Sequence, residues 1–472
     1  IHPWLWLATQ NTDNRIFQNL TVPDIIKKVL LKYPFSVDWQ LREDYREWPY
    51  CVQYDESDFQ FISRLMELEG IYYYFEHKEG EHQLVLVDST MAHKPFSGTE
   101  FSINYYSDDQ SQPSHGPILR DWAFADSLYS NKHTMVDYDF EKASAKLDVS
   151  YSLSKNNGKT MEIYDPLPGY FELDDGEKYV RVAAESDAWR SQTCTAFSNY
   201  PLLSCGHIFE VARLRAAQNP YLIIATEFHL EENSYATDGG GDAEKHQIEV
   251  KLTVIPHQAQ FRAPKVTPIP KAQGPMTAKV VGIQGEEIWT DKYGRIKVQF
   301  HWDREGQQDE NSSCWLRVSS PWAGGGFGGV QIPRIKDEVI VGFVGGQLDR
   351  PMVVGRVYNA ENMPALEFPA NATQSGTVTR SKFGDASTAN QMLLEDKPDA
   401  EMLSFQAQKD MDALVKNNED INVIGQQMGE HGGTTNLSVG GFDDNIFKAA
   451  STILNQANQE RTILGKSDET VR

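Results

Sequence analysis

The chain has few cysteines and no long apolar run. Its four cysteines, Cys51, Cys194, Cys205 and Cys314, show neither the spacing of a zinc site nor that of a disulfide framework. They are typical of reduced structural thiols in a cytosolic protein, although Cys194 and Cys205 could pair if oxidised. No run of about 18 apolar residues occurs, and the first residues lack the basic region and apolar stretch of a signal peptide. We therefore expect neither a membrane-spanning helix nor signal-directed export.

Basic residues are scarce relative to acidic ones. The chain carries 44 Lys and Arg against 67 Asp and Glu, which gives a net charge of −23. A surface with this balance repels nucleic acid and anionic membranes. At 472 residues the chain is also too long for a single core, so we expect several domains.

Local signatures of catalysis are missing as well. The sequence contains no G-x-S-x-G, H-E-x-x-H or C-x-x-C motif, and its twelve histidines are scattered. The run 324–329 formally satisfies G-x-G-x-x-G, but Val330–Pro333 cannot open the helix that a dinucleotide site requires. Gly465-Lys466-Ser467 lacks the upstream glycine of a P-loop. We expect no enzyme, cofactor or metal, although a phage-like cell-wall hydrolase stays open as an alternative because paired carboxylates leave no local signature.

What the chain does have is an eight-residue repeat in its last 58 residues. Apolar residues occupy most frame positions, and small residues follow two positions later. The frame is Val415, Val423, His431, Val439, Phe447, Asn455, Ile463 and Val471. The small column is Gly425, Gly433, Gly441 and Gly465, with Ala449 and Ala457. A short fixed period of this kind is typical of a fibrous β-helix.

The repeat predicts a homotrimer. One or two apolar residues in eight cannot give a lone chain a core, whereas three chains wound about a common axis would place each apolar residue against its symmetry mates. The six apolar frame residues are the candidate axial residues. The alternative is a polar, disordered tail with accidental spacing. At His431, three inward imidazoles could hold an anion or a metal, but an outward His in a distorted repeat is the preferred interpretation.

The rest of the chain predicts a mainly β protein with a small α/β part. Thr21 and Pro23 indicate the start of a helix that stops before Pro34, and Ser57 with Gln60 forms a capping box for a second helix that ends at Gly70. A β-hairpin should follow over 71–87. The first residues, from Ile1, are typical of a strand, and the absence of an initiating Met suggests that an N-terminal segment is missing.

Mainly β structure is expected over 101–262, a proline-rich linker over 263–275, and a small barrel of the OB type after it. Its clearest strand is 295–302, with Ile296, Val298, Phe300 and Trp302 inward. Arg295, Lys297, His301 and Trp302 also offer the chemistry of an oligonucleotide groove, so an OB nucleic-acid binder is the second alternative. The acidic charge and the inward Trp302 favour core packing. We predict domains at 1–100, 101–262, 263–360 and 361–472.

Several motifs resemble one known family. The runs 15–18, 51–54, 56–58 and 69–73 resemble the hub of VgrG, the spike protein family of type VI secretion. The runs 291–298, 320–324, 332–334 and 349–351 resemble its OB barrel.

The resemblance implies a trimeric spike related to phage tail hubs: hub β-barrels with a small α/β insertion form a pseudo-sixfold base, OB-fold barrels form a neck, and the repeats begin a triple-stranded β-helix needle. It further implies docking on the Hcp tube, a PAAR-type tip protein, effector cargo, and no nucleic acid. The protein would assemble in the cytoplasm and then pass to the exterior or into a target cell, puncturing its membrane.

Overall fold

A computed structural model describes residues 2–424, except 96–101, 108, 112, 114–115, 154–158, 216, 219 and 232–246. Within these residues the chain is mainly β, as its sequence predicts. One compact unit spans Ile1–Gln408, and the chain from Lys409 onward forms a second unit. No helix among the described residues is long and apolar enough to cross a membrane.

An α/β unit opens the chain. A three-stranded sheet of order β3-β7-β6 packs with two helices around one apolar core. Both helices begin where their caps predict: Thr21 accepts a hydrogen bond from the Asp24 amide, and Ser57 and Gln60 form a reciprocal capping box. The elements are a 3-10 helix (Trp4–Gln10), β1 (Thr12–Phe17), β2 (Leu20–Thr21), α1 (Val22–Leu30), β3 (Val37–Gln40), β4 (Glu47–Trp48), β5 (Cys51–Ser57), α2 (Asp58–Glu69), β6 (Tyr72–Lys78) and β7 (Glu81–Val87).

The first residues form a 3-10 helix, so the prediction of a strand there is wrong. Trp4, Leu5 and Ala8 are buried and share one face of this helix, a spacing that fits a helical turn rather than the alternation of a strand. Trp4 stacks on Phe35 with ring centroids 5.0 Å apart, which fixes the helix against the core.

A β-barrel with an inserted subdomain follows. Hydrogen bonds run through β16-β17-β14-β10-β9-β15, and the pairing of β15 with β16 closes the ring. The elements are β8 (Lys94–Pro95), β9 (Ser102–Tyr105), β10 (Ile118–Ala125), β11 (Lys132–Asp137), β12 (Leu147–Ser152), β13 (Glu162–Pro166), α3 (Leu173–Ala188), β14 (Thr193–Ser198), β15 (His207–Ala212), β16 (Tyr221–Glu231) and β17 (Gln247–Pro256), with short 3-10 helices at Thr90–Ala92 and Trp189–Gln192.

The inserted subdomain contains a helix that the sequence does not reveal. Its sheet has the order β12-β11-β13, and α3 covers it through Tyr179, Val180 and Ala183. The N-cap residue Glu172 makes no side-chain capping bond, and Gly176 lies in the first turn, so the usual start signals are missing. Tyr170 fills the space above Gly176, where a Cβ would lie 2.7 Å from its ring.

The next barrel has the topology of an OB fold. Its five main strands have the order β19-β18-β23-β24-β20, β20 and β24 are parallel, and the Ile296–Leu316 bridge closes the ring. Ile296, Val298 and Phe300 point inward as predicted, and Trp302 packs at the edge of the same core. The elements are β18 (Met276–Val281), β19 (Lys297–Phe300), β20 (Arg317–Val318), β21 (Ala323–Gly324), β22 (Phe327–Gly328), β23 (Glu338–Phe343), a 3-10 helix (Val344–Gly346) and β24 (Pro351–Val357).

The glycine-rich run 324–329 lies in the short hairpin of β21 and β22. The described residues directly after it, 329–337, form no helix, so it lacks the strand–turn–helix context of a dinucleotide site.

A three-stranded antiparallel meander follows the OB barrel. Its strands are β25 (Gln374–Val378), β26 (Gln391–Glu395) and β27 (Met402–Gln406), in that order. The sequence predicts only a short linker and one alternating stretch here. The strand β25 escapes notice because Ser375, Gly376 and Thr377 give it no apolar alternation.

Candidate functional site

One face of the meander is apolar, and none of the described residues covers it. The pairings Met392–Phe405 and Leu394–Leu403 put four apolar side chains on the same side of the sheet. Their exposed fractions are 45% for Met392, 37% for Leu394, 59% for Leu403 and 63% for Phe405. We call these four residues the apolar face. The predicted alternation of Leu403 and Phe405 against Ser404 and Gln406 is the part of this surface that the sequence makes visible.

The opposite side of the same sheet is more polar, although Val378, Leu393 and Met402 also lie on it. Gln374 donates to Glu395 at 3.1 Å, and Gln391 bonds Gln406 in the adjacent strand. A sheet with one polar and one apolar side is normally packed on a core through the apolar side. In the described part of this chain, no second layer covers the apolar face.

Salt bridges hold the loop between β25 and β26 on the OB barrel. Glu287 of the barrel pairs with Arg334 and Arg380 at 2.7 Å each, and it accepts a hydrogen bond from the Phe383 amide. The backbone hydrogen bond and the two guanidinium groups lower the pKa of Glu287 to about 2. The meander therefore has a fixed attachment to the barrel, while its apolar face stays exposed.

The first two residues of the repeat frame lie in a stretch without regular secondary structure. Val415 and Val423 are 50% and 46% exposed, and neighbouring apolar residues such as Ile424 are also exposed. The structure does not bring Val415 and Val423 together with other apolar residues of the described chain. The other predicted axial residues, Val439, Phe447, Ile463 and Val471, lie outside the described residues. So do the small column of Gly425, Gly433, Gly441 and Gly465, and His431.

The hub motifs of the sequence form a buried ion network. Arg15 bonds the Gln53 amide oxygen at 3.0 Å and pairs with Asp58 at 3.1 Å and Asp13 at 3.3 Å. Lys32 adds pairs to both carboxylates. Because each buried charge has a partner, removing one of them would leave another charge uncompensated inside the hub.

The motif 349–351 joins the OB barrel to the hub. The Asp349 carboxylate accepts a hydrogen bond from the Val52 amide of β5 at 2.7 Å, and Arg350 pairs with Asp137 of the inserted subdomain at 2.5 Å. Burial raises the pKa of the Asp349 carboxyl. Asp137 is fully buried and also accepts the Gly169 amide at 2.7 Å. In the sequence, Asp349 and Arg350 belong to a recognisable motif, whereas nothing marks Asp137, because its partner Arg350 lies 213 residues away.

The basic and aromatic residues that could line an oligonucleotide groove contact other groups of this chain. Arg295 pairs with Asp291 at 2.7 Å and with Glu141 at 3.0 Å, and Lys297 donates to the Glu310 carbonyl. Trp302 stacks on Phe300, with ring centroids 5.1 Å apart. The structure does not gather them into one exposed stacking surface. Among the described residues no group of three or more His, Cys, Asp or Glu is arranged to hold a metal.

Three family models match this chain in the order of its domains. Residues 1–234 match the phage tail baseplate hub (GPD), and residues 277–358 match the type VI secretion system/phage-baseplate injector OB domain. Residues 375–472 match the bacteriophage T4 gp5 C-terminal trimerisation domain. The last match includes the meander and the whole repeat frame.

Curated relatives are similar over most of the chain. Type VI secretion system spike protein VgrG1b of Pseudomonas aeruginosa is 44% identical over 425 residues, which are 89% of this chain and 57% of that protein. VgrG1a of the same organism is 43% identical over 429 residues, 90% of this chain and 66% of that protein. The chain thus spans less than two thirds of the length of these relatives.

A solved structure shares the fold. The lidded Francisella PdpA–VgrG complex matches with a TM-score of 0.51 and 10% identity, over 86% of this chain and 64% of that chain. The three family models agree with the sequence motifs that resemble VgrG. The identity to spike proteins agrees with them as well. The chain belongs to the VgrG family of type VI secretion spike proteins.

Proposed function

We propose that the chain is a homotrimeric, non-enzymatic spike and hub component of a contractile type VI secretion apparatus. The observation that carries this proposal is the apolar face, which one chain leaves exposed within a segment matched by a trimerisation domain. Three copies arranged about an axis would turn their apolar faces toward one another, and would leave the polar sides toward water.

The energetics favour this assembly. Full burial of a Leu, Met or Phe side chain is worth about 1.5–3 kcal/mol, and the four side chains of the apolar face are each roughly half exposed. Burying what remains contributes about 1 kcal/mol for each side chain. The same gain occurs in each of three chains, and it acts against the entropic cost of association.

The mechanical role follows from the shape of the repeat. If Val415, Val423, Val439, Phe447, Ile463 and Val471 are axial, strands of three chains pair along a rod without free edges. Bending such a rod requires many contacts to fail together. This rigidity suits a spike that punctures a target membrane, with the glycine column allowing the chains to approach closely.

The proposed partners are those of a spike: the Hcp tube below the hub, a PAAR-type tip protein on the needle, and effectors carried at or beyond it. Effector carriage is supported by the Francisella complex, whose name pairs a VgrG protein with PdpA. The chain would assemble in the cytoplasm and leave the cell with the apparatus.

Export from cells tests this function. The chain is expressed in a bacterium that has the apparatus but lacks its own spike protein, and the medium is assayed for the chain and for the tube protein. We expect export with the wild-type chain and loss of export with Phe405→Asp, which puts three carboxylates against the apolar face. Gln406→Asp, one residue away on the polar side, is the matched control. Equal export by both variants would reject the role of the apolar face.

A further inference from the structure

A cavity of about 740 Å³ lies where the α/β unit, the inserted subdomain and the OB barrel meet. Its lining includes Arg64 of α2, Phe171 of the inserted subdomain and Trp315 of the barrel. Its volume is in the range of small-molecule sites, which are about 300–1,000 Å³. Neither the family models nor the mechanical role of a spike gives this cavity a purpose.

The cavity lining is basic in an acidic protein. Seven Arg and Lys residues line it against five Asp and Glu, whereas the chain as a whole has a net charge of −23. Four of the five carboxylates accept hydrogen bonds or pair with a cation: Glu67, Asp139, Glu141 and Asp349. Three of the seven cations, Arg64, Arg295 and Arg350, are paired with carboxylates. The other four, Arg46, Lys265, Lys297 and Arg317, are the cations that remain for an anion.

Three of the lining cations lie against aromatic rings. The distance from cation to ring centroid is 4.3 Å for Arg46 on Trp48, 4.7 Å for Arg317 on Phe140 and 5.4 Å for Lys297 on Trp315. Within the described part of the chain, none of these three cations forms an ion pair. Arg46 bonds the Tyr179 hydroxyl and the Gly169 carbonyl, and Lys297 bonds the Glu310 carbonyl. Their charge is oriented by neutral groups and is available to a ligand.

Trp315 and Arg317 belong to one side of the barrel wall. Leu316 between them is buried in the barrel core, so its two neighbours turn to the other side, toward the cavity. Lys297 lies over the Trp315 ring, and Arg317 lies over the Phe140 ring. Together these residues form a contiguous patch of rings and cations on this side of the barrel.

We propose that this cavity binds a small organic anion with a flat apolar body. Arg317 and Lys297 contact the acid group, and the aromatic rings of the lining contact the apolar body. The site adds a ligand to the spike and does not depend on the mechanical role or on trimer formation.

The test uses 2-naphthalenesulfonate as the probe and isothermal titration calorimetry of the full chain. We expect one probe molecule per chain, and at least about tenfold weaker binding of neutral 2-naphthol. Arg317→Gln should weaken the sulfonate about tenfold, and Arg317→Lys should restore part of the loss. Arg356→Gln removes the same charge from the same barrel outside the cavity lining and should leave binding unchanged.

Two kinds of result would overturn the proposed anion site. Equal binding of sulfonate and naphthol, or unchanged binding by both Arg317→Gln and Lys297→Gln, overturns the anion site. Binding only to the Phe405→Asp chain, which we expect to be monomeric, would show that a neighbouring copy fills the cavity, and this also overturns the proposal. Chain mass, measured separately, shows whether trimer formation itself has failed.

Discussion

At the scale of single residues, long-range pairs of buried charges fix one domain on another. Arg350 of the OB barrel and Asp137 of the inserted subdomain form such a pair, and their side chains are 12% and 0% exposed. Removing one partner of a buried pair leaves the other charge without compensation, which costs about 3 kcal/mol or more. Here the cost is moderated, because Asp137 keeps the Gly169 and Tyr170 amides as donors.

We therefore expect Arg350→Met to lower the free energy of unfolding by about 3 kcal/mol. Arg356→Met, at an exposed position of β24, the strand that follows Arg350, should change it by less than about 0.5 kcal/mol. Urea unfolding followed by fluorescence measures both. If the two variants are equally stable, the pair does not hold the barrel to the hub.

A buried histidine makes stability depend on pH. His93 contacts the Tyr72 hydroxyl at 2.9 Å and the Gly206 carbonyl at 2.8 Å. Burial lowers the pKa of His93 to about 4, and the nearby His257 and His207 act in the same direction. In the unfolded chain His93 regains a pKa near 6.5, so the unfolded state binds the proton first. The contribution of neutral His93 is complete above pH 6.5 and is lost as the pH falls from about 6.5 to about 4.

Accordingly, His93→Gln should reduce the loss of stability on acidification. Between pH 7.5 and pH 4.5 the wild-type chain should lose up to about 3 kcal/mol more unfolding free energy than the variant. Other titrating groups are common to both proteins and cancel in the difference. If the unfolding free energies of the two proteins changed in parallel with pH, His93 would not be the cause of the loss.

At the scale of secondary-structure elements, capping residues decide where helices begin. The α2 helix has a complete capping box, with the Gln60 amide 3.1 Å from the Ser57 hydroxyl and the Ser57 amide 3.0 Å from the Gln60 side chain. Its C-cap Gly70 has φ of +78°, and a Cβ there would lie 2.9 Å from Arg262. Both ends of this helix are thus specified by local sequence.

Ser57→Ala should lower the free energy of unfolding by about 1 kcal/mol, because it removes the acceptor for the Gln60 amide. Ser127→Ala, at an exposed loop position whose hydroxyl reaches only the Arg190 carbonyl at 3.4 Å, is the control. Thermal unfolding of the two variants compares them directly. A larger loss for Ser127→Ala would show that the cap is not the cause.

Elements with strong local signals were predictable from sequence, and elements without them were not. The capped helices and the strand around Val298 match prediction because caps and alternation are local patterns. Two helices are not predicted from the sequence. The 3-10 helix at Trp4–Gln10 lacks a capping bond and is held by packing. The helix at Leu173–Ala188 has Gly176 near its start. Half of the apolar face was visible as Leu403 and Phe405. Its other half, Met392 and Leu394, became part of the face only through strand pairing.

At the scale of the whole molecule, the proposed needle depends on residues of three chains meeting at one axis. Val439 is a predicted axial residue of the eight-residue repeat. Val439→Asp would bring three like charges together near that axis, where desolvation makes each costly. We expect a lower melting temperature and partial dissociation of the trimer. Asn436→Asp, off the frame, is the control, and identical mass and melting temperature for Val439→Asp and wild type would place Val439 elsewhere.

The number of chains in the proposed spike is measured by light scattering after size exclusion. At micromolar concentration we expect a particle of three times the chain mass of 53.4 kDa. Phe405→Asp should shift the mass toward that of one chain, and Gln406→Asp should not. A wild-type mass of 53.4 kDa under these conditions would show that the chain is a monomer and would reject the trimer.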